Sequence, residues 1–217
     1  MQKRIIPLDD VFMKDKKTHD KIYSFLQVNS YLTEDKRRIV YKDKITPTEI
    51  YYNVRKEIGK NKKNEIKYDI SLQTVRNTLD LYERLNLIQS SSAIDIHNKN
   101  VKVYVLSQDF NYYQYIPLET LRYLVDTANE NVIKVYAYLL NKYEWKSQEQ
   151  QYYTFTLSEL CKTIGYAVTS DNTKTMRNIL KSLSNNALIS YTETYYISEN
   201  NTPIPTFRLD NAFYYIK

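Results

Sequence analysis

The sequence has a single cysteine, two histidines and two glycines among 217 residues. One cysteine, Cys161, cannot form an internal disulfide, and its place beside Leu160 and Ile164 on an apolar helix face predicts a core residue. The histidines, His19 and His97, show no metal-binding spacing with it. Two glycines are too few for a Gly-rich loop that cradles a nucleotide phosphate. We therefore expect no enzymatic activity, no cofactor and no metal.

Long apolar runs are also missing. No stretch approaches the roughly 20 apolar residues that span a bilayer, and the charged start MQKRIIPLDD lacks the apolar core of a signal peptide. With 42% apolar and 26% charged residues, the chain is suited to folded domains rather than to disorder. We expect a cytoplasmic protein without membrane contact. The abundance of Tyr, Ile, Lys and Asn is typical of AT-rich coding and suggests a low-GC bacterial host.

The chain repeats itself at a slowly falling offset. The motif Ile-Pro-Leu-acid occurs at residues 6–9 and again at residues 116–119. Later, TVRNTLDLYERLNLI from Thr74 matches TMRNILKSLSNNALI from Thr175, so the offset has fallen from 110 to 101. We interpret the chain as a tandem duplication whose first copy carries nine extra residues, five of them in the loop before its third helix.

Each copy predicts the same order of elements: helix, short strand, capped helix, third helix and hairpin. The short strands are RRIVY and YYTF. The capped helices begin at Thr46 and Thr156, each with a Glu three residues later, and end near Gly59 and Gly165. Helical spacing predicts that the third helices bury Leu72, Val75, Leu79 and Tyr82 in the first copy, and Met176, Leu180, Leu183 and Ala187 in the second.

The pattern Thr-x-Arg-Asn-x-Leu, followed by Leu-Ile and a hairpin, resembles the recognition helix and wing of winged-helix DNA-binding domains. Two such domains in one chain resemble plasmid replication initiators of the tandem winged-helix type and helix-turn-helix replication proteins of phages. The resemblance implies an α+β, mainly helical fold with two winged-helix domains, at residues 1–108 and 109–217. It further implies that the third helices enter the DNA major groove and that the hairpins contact the backbone or the minor groove.

The third helices, at residues 71–86 and 171–186, carry side chains suited to base edges. Arg can bridge guanine O6 and N7, and Asn or Gln can bridge adenine N6 and N7. The hairpin tips lie at residues 97–102 and 199–202. The predicted DNA-contacting residues are Ser71, Gln73, Thr74, Arg76, Asn77, Lys60, Lys62, Lys63, Lys99 and Lys102 in the first copy, and Lys174, Thr175, Arg177, Asn178 and Lys181 in the second.

Charge distinguishes the two copies. Residues 1–110 contain 21 basic and 15 acidic residues, whereas residues 111–217 contain ten of each. Part of the excess lies in the run KNKKNEIK at residues 60–67, while the second hairpin carries Glu193 and Glu199. Because lysines neutralise phosphates, we expect the first domain to be the main DNA binder. The second is expected to provide dimerisation, partner contact or a second DNA contact.

These features predict a sequence-specific double-stranded DNA-binding protein that acts as a plasmid or phage replication initiator or replisome organiser. Its expected partners are duplex DNA at origin repeats, a second copy in a homodimer, and a replicative helicase or helicase loader. Two alternatives stay open. One is a transcription regulator of a mobile element, and the other is an interaction scaffold or inhibitor that contacts protein rather than DNA.

Overall fold

A computed structural model describes residues 2–15, 17–95, 97, 99–129, 131–146, 152–201 and 203–213. The helices in these residues are α1 (Asp10–Lys14), α2 (Asp20–Val28), α3 (Pro47–Val54), α4 (Leu72–Arg84), α5 (Leu118–Thr127), α6 (Val132–Lys146), α7 (Leu157–Thr163) and α8 (Ser170–Asn185). The strands are β1 (Lys3–Pro7), β2 (Tyr31–Leu32), β3 (Arg38–Tyr41), β4 (Glu57–Lys60), β5 (Ile66–Tyr68), β6 (Ile88–Ile94), β7 (Asn100–Leu106), β8 (Tyr113–Pro117), β9 (Tyr152–Phe155), β10 (Ile189–Ile197) and β11 (Pro203–Phe213).

The expectation of a mainly helical fold with two winged-helix domains is wrong. Helix and strand are roughly balanced, at 41% and 29%, in an α+β fold with several antiparallel sheets, and a winged-helix fold is not shown. The short strands predicted from RRIVY and YYTF are confirmed and lie at Arg38–Tyr41 and Tyr152–Phe155. Strands β1, β2, β4, β5 and β8 and helices α1 and α5 were not predicted. Local alternation of apolar and polar residues marks neither the β4–β5 pair nor the β1–β8 pair. The β4–β5 pair is lysine-rich and exposed, and β1 pairs with a strand far along the chain.

The chain divides into two compact units, and neither is a consecutive half of the sequence. The repeat-1 unit comprises Lys17–Asn111 and Leu121–Glu130. The repeat-2 unit comprises Met1–Lys16, Tyr112–Thr120 and Asn131–Lys217. The predicted domains, divided between residues 108 and 109, therefore cut across the observed units.

The repeat-1 unit has a four-stranded antiparallel sheet in the order β2-β3-β7-β6. Its core includes the buried faces of α2, α3 and α4, and the rings of Tyr23 and Tyr82 meet edge to face, with centroids 5.7 Å apart. The end of α5 belongs to this unit, because Lys56 Nζ donates to the carbonyl of Thr127 and, at 3.2 Å, to Asn129 Oδ1. These contacts secure a segment of the second repeat in the unit built mainly from the first.

The repeat-2 unit is built around α6 and a three-stranded antiparallel sheet in the order β10-β11-β9. The rings of Phe155 and Phe207 stack in its core with centroids 5.7 Å apart. Helix α1 belongs to this unit and buries Phe12 and Met13. The buried Lys134 of α6 donates from Nζ to the carbonyl of Asp15 at 3.3 Å. The first residues of the chain thus complete a unit whose remaining residues lie beyond residue 111.

The repeated Ile-Pro-Leu motif has a structural explanation in the pairing of β1 with β8. These strands are antiparallel, and Ile5 lies directly opposite Tyr115, the residue 110 positions later. Residues on either side pair reciprocally, Arg4 with Ile116 and Ile6 with Gln114. Equivalent segments of the two repeats therefore pair with each other.

Threonine caps begin both capped helices, as predicted. Thr46 Oγ1 accepts a hydrogen bond from the Glu49 amide and Thr156 Oγ1 accepts one from the Glu159 amide, each at 3.1 Å. The glutamate side chains have other partners: Glu159 Oε1 accepts from the Tyr153 hydroxyl at 2.5 Å, and Glu49 Oε1 accepts from an asparagine one turn later. The first half of each predicted capping box is thus present.

The two glycines have different roles. Gly165 follows α7 with a positive φ of 74°, and the amide of Tyr166 donates to the carbonyl of Cys161 at 2.8 Å, which closes a left-handed helix end as predicted. The prediction for Gly59 is wrong, because α3 ends at Val54 and Gly59 lies in β4 at a register irregularity, with φ of 119°. The extra residues of the first repeat form a hairpin rather than extending the helix.

Candidate nucleic-acid interface

The amino end of α4 is exposed and is fixed by side-chain caps. Ser71 Oγ accepts from the Thr74 amide at 3.0 Å, and Thr74 Oγ1 accepts from the Ser71 amide at 3.4 Å, which makes a reciprocal cap. Gln73 Nε2 donates to Asn77 Oδ1 at 2.8 Å, one turn later on the exposed side. Two of the predicted contact residues, Ser71 and Thr74, thus cap the helix. Gln73 and Asn77 form a hydrogen-bonded amide pair.

Arg76 is the exposed cation of this helix segment. In the part of the chain that the structure describes, no hydrogen bond or ion pair engages its guanidinium. The opposite side of the helix is anchored by buried Val75, Leu79 and Tyr82, as the helical spacing predicted. Anchoring on one side leaves the Arg76 guanidinium able to bind an external acceptor without first breaking an internal contact.

The predicted lysines at Lys60, Lys62 and Lys63 lie on the hairpin formed by β4 and β5. Its turn is organised by Asn61, whose Oδ1 accepts from the amides of Lys63 and Glu65, both at 2.9 Å. All three lysines are exposed. Since β5 ends three residues before the cap of α4, this basic hairpin directly precedes the exposed helix start.

A cluster of rings at the base of this hairpin was not foreseen. The Arg55 guanidinium lies 4.9, 4.4 and 4.1 Å from the ring centroids of Tyr51, Tyr52 and Tyr68. Stacking an arginine between aromatic faces is favourable, and here it links α3 to β5. The Tyr-Tyr-x-x-Arg spacing at the end of α3 was the available sequence signal, because it places an arginine near the rings of the preceding turn.

The hairpin of β6 and β7 carries the other predicted lysines of the first repeat. Lys102 is exposed and lies opposite Ser92 in the strand register. Lys99 is exposed at the turn, where its amide donates to Asp95 Oδ1 at 2.8 Å. The predicted tip at 97–102 includes residue 98, which lies outside the described residues.

The second repeat presents a different surface. Its predicted residues on α8 are exposed, with the exception of the half-buried Arg177: these are Lys174, Thr175, Asn178 and Lys181. Thr175 Oγ1 donates to the carbonyl of Asp171 at 2.9 Å. Arg177 Nη1 lies 2.8 and 2.6 Å from the two carboxylate oxygens of Glu193 on β10. The second arginine is thus bound internally, unlike the first.

The two hairpins also differ in polarity. The distal half of β10 exposes Tyr195, Tyr196 and Ile197 in succession. Position 202 of the predicted tip lies outside the described residues, and Glu199 is exposed. The second hairpin therefore presents aromatic and aliphatic side chains rather than lysines.

Other chemistry is not apparent within the described residues. No group of three or more potential metal ligands occurs there, and no helix there is long and apolar enough to cross a membrane. Cys161 is buried, as predicted, and burial raises the pKa of its thiol. A raised pKa disfavours the nucleophilic thiolate.

Comparison of the chain with protein-family models, with curated proteins and with solved structures finds no match.

Proposed function

We propose that this chain binds double-stranded DNA sequence-specifically, with α4 of the repeat-1 unit as the reading helix. The observation that carries the proposal is the exposed amino end of α4, where Arg76 has no bound partner among the described residues and Asn77 is also exposed. Helices read bases in the major groove chiefly from such ends. The basic hairpin of β4 and β5, immediately before the helix, supports binding to a polyanion such as DNA.

The side chains divide naturally between base reading and phosphate contact. Arg76 can donate to guanine O6 and N7, and Gln73 or Asn77 can pair with adenine once their mutual hydrogen bond is exchanged. Lys62 and Lys63 at the hairpin turn are suited to phosphates, which position the protein without reading sequence. Ser71 and Thr74 maintain the helix start.

The biological role that we propose is initiation or organisation of plasmid or phage replication. In this role the bound protein would recruit a replicative helicase or its loader, act without an enzymatic reaction of its own, and dimerise on repeated sites. The charge difference between the repeats and the exposed lysines of the first support a division of labour in which the repeat-1 unit supplies most of the DNA affinity. Regulation of transcription would use the same surface.

A protein-contact role is favoured by one observation in the repeat-2 unit. Tyr195, Tyr196 and Ile197 are each more than half exposed on β10. Aromatic side chains of this kind are enriched at protein interfaces. A scaffold or inhibitor would use this surface and would have no affinity for DNA.

The deciding experiment is selection of bound duplexes from a random pool, followed by salt titration of the selected site. If four to six phosphates are contacted, log affinity should fall with log salt at a slope of about four to five. Replacing Lys62 and Lys63 with alanine should lower that slope by about two and weaken all sequences alike.

The matched control replaces Lys3 and Lys162, exposed lysines of the repeat-2 unit, with alanine. This control removes the same charge and should leave the slope nearly unchanged. Absence of any selected sequence together with a flat salt titration would reject DNA binding and leave the scaffold role.

A further inference from the structure

The ion pair between Arg177 and Glu193 joins α8, on the face that carries the predicted DNA-contacting residues, to the hairpin of β10 and β11 that follows it. Arg177 Nη1 lies 2.8 and 2.6 Å from Oε1 and Oε2 of Glu193, and both side chains are 33% exposed. The guanidinium also lies over the Phe207 ring, 5.3 Å from its centroid. The hydrogen bonds that Arg177 donates to the Glu193 carboxylate raise the pKa of its guanidinium. The arginine is thus held against its own unit by a carboxylate and a ring.

The first repeat lacks this carboxylate. The offset of 101 aligns Arg177 with Arg76 and Glu193 with Ser92, and β6 and β10 begin at the aligned residues 88 and 189. Ser90 Oγ donates to Glu83 of α4, so this face of β6 is turned towards α4. Alternate residues of a strand share a face, and Ser92 therefore lies on the same side as Ser90. A serine there cannot neutralise an arginine.

Resting on the proposed function, we propose that the Glu193 carboxylate competes with DNA for the Arg177 guanidinium. This internal ion pair keeps Arg177 from contacting DNA, so that DNA contact is made by the repeat-1 unit. A carboxylate binds the same guanidinium donors that a phosphate or a guanine edge would bind. Contact of α8 with DNA requires Arg177 to leave Glu193, and it brings the released carboxylate close to the phosphates. Glu193 thereby sets which of the two repeats reads DNA.

The test compares Glu193→Gln with Glu199→Gln in the full chain, using the selected duplex and a second duplex that carries the selected site twice. Both variants remove one negative charge from the same hairpin, but only Glu193→Gln removes the ionic partner of Arg177. Glu193→Gln should raise the salt slope by about 0.9 and affinity for the double site by about eightfold at 0.1 M salt, as one further phosphate contact would. Glu199→Gln should change affinity less than twofold.

The reciprocal variant is Ser92→Glu, with Gln89→Glu as its control. Position 89 is exposed on the other face of β6, so its carboxylate does not face α4. Ser92→Glu should weaken binding and relax the preference at the base pair that Arg76 reads, whereas Gln89→Glu should lower affinity without altering preference. Circular dichroism of each variant checks that the fold is retained.

The outcomes separate the inference from the function on which it rests. If wild type binds a selected duplex and Glu193→Gln gains no more than Glu199→Gln, the competitor role is overturned and the proposed function stands. If wild type selects no duplex from the random pool but Glu193→Gln selects one, the competitor role is supported and the assignment to the repeat-1 unit fails. If neither binds, both are overturned.

Discussion

Two arginines at equivalent positions of the repeats differ in their surroundings. Arg177 is paired with Glu193, whereas the Arg76 guanidinium has no hydrogen-bond or ionic partner in the described part of the chain. If Arg76 reads a base edge, Arg76→Ala should weaken binding to the selected duplex by about 1–3 kcal/mol and relax preference at one base pair. Competition binding against single-base variants of the site measures both effects.

Arg84→Ala is the matched control for Arg76→Ala. Arg84 is an exposed arginine at the carboxyl end of the same helix, so its removal changes the charge equally. We expect a small loss of affinity that is the same for every duplex. Equal losses from both variants, without any relaxed base pair, would make Arg76 a backbone contact.

At the scale of elements, the left-handed end of α7 lies close to the backbone at the end of α1. A Cβ atom on Gly165 would collide with the backbone carbonyl oxygen of Lys14, and φ there is 74°. Gly165→Ala therefore combines backbone strain, about 1–2 kcal/mol, with displacement of a neighbouring helix. We expect the free energy of unfolding to fall by about 2–4 kcal/mol, measured by urea denaturation.

Gly59→Ala serves as the comparison for this prediction. Gly59 also has a positive φ, but a Cβ there would meet no atom within 4 Å. For this variant the free energy of unfolding should fall only by the cost of backbone strain, about 1–2 kcal/mol. If the two variants lose the same stability, the close approach of α1 to α7 contributes nothing.

At the scale of the whole molecule, each compact unit contains a segment from the other repeat. A cut between residues 108 and 109 removes residues 109–111 and 121–130 from the repeat-1 unit and residues 1–16 from the repeat-2 unit. The second loss exposes the cavity filled by Phe12 and Met13, and each buried side chain of this size contributes about 1.5–3 kcal/mol. We expect fragments 1–108 and 109–217 each to unfold at lower urea than the full chain.

Mixing the two fragments should restore cooperative unfolding, because each supplies the missing segment of the other's unit. Sedimentation of the equimolar mixture should show a one-to-one complex. The control is the full chain with a protease site between residues 108 and 109, cleaved after folding, which should stay associated. Fragments that are separately as stable as the full chain and do not associate would contradict this arrangement.

The third helices and most of their buried faces were predictable because they depend on neighbouring residues, whereas helices α1 and α5 were not predicted. The third helices begin at polar caps and bury Val75 and Leu79 in one repeat and Met176 and Leu180 in the other, as helical spacing requires. Two of the predicted buried positions differ: Leu72 is only half-buried, and Ala187 is exposed. The chain leaves α8 before this residue, which adopts a φ of 53° and is exposed, and the next residue is buried instead.

The candidate site was predictable in part. The sequence indicated the exposed polar end of α4 and the lysines before it, because composition and helical spacing mark both. Neither the hairpin of β4 and β5 nor the stacking of Arg55 between tyrosines was predicted, since a Lys/Asn-rich segment without regular alternation is typical of a loop. The partner of Arg177 was not predicted either, because Glu193 lies 16 residues away on another element.

The sequence by itself determined the repeated motifs, the helix starts at Thr46 and Thr156, and the charge difference between the two halves of the chain, because each is a property of residue order and short-range hydrogen bonding. Only the tertiary structure decided that Ile5 pairs with Tyr115 and that residues 1–16 complete the repeat-2 unit. Strand pairing joins residues far apart in the chain, and its choice depends on which surfaces the rest of the fold leaves to be buried.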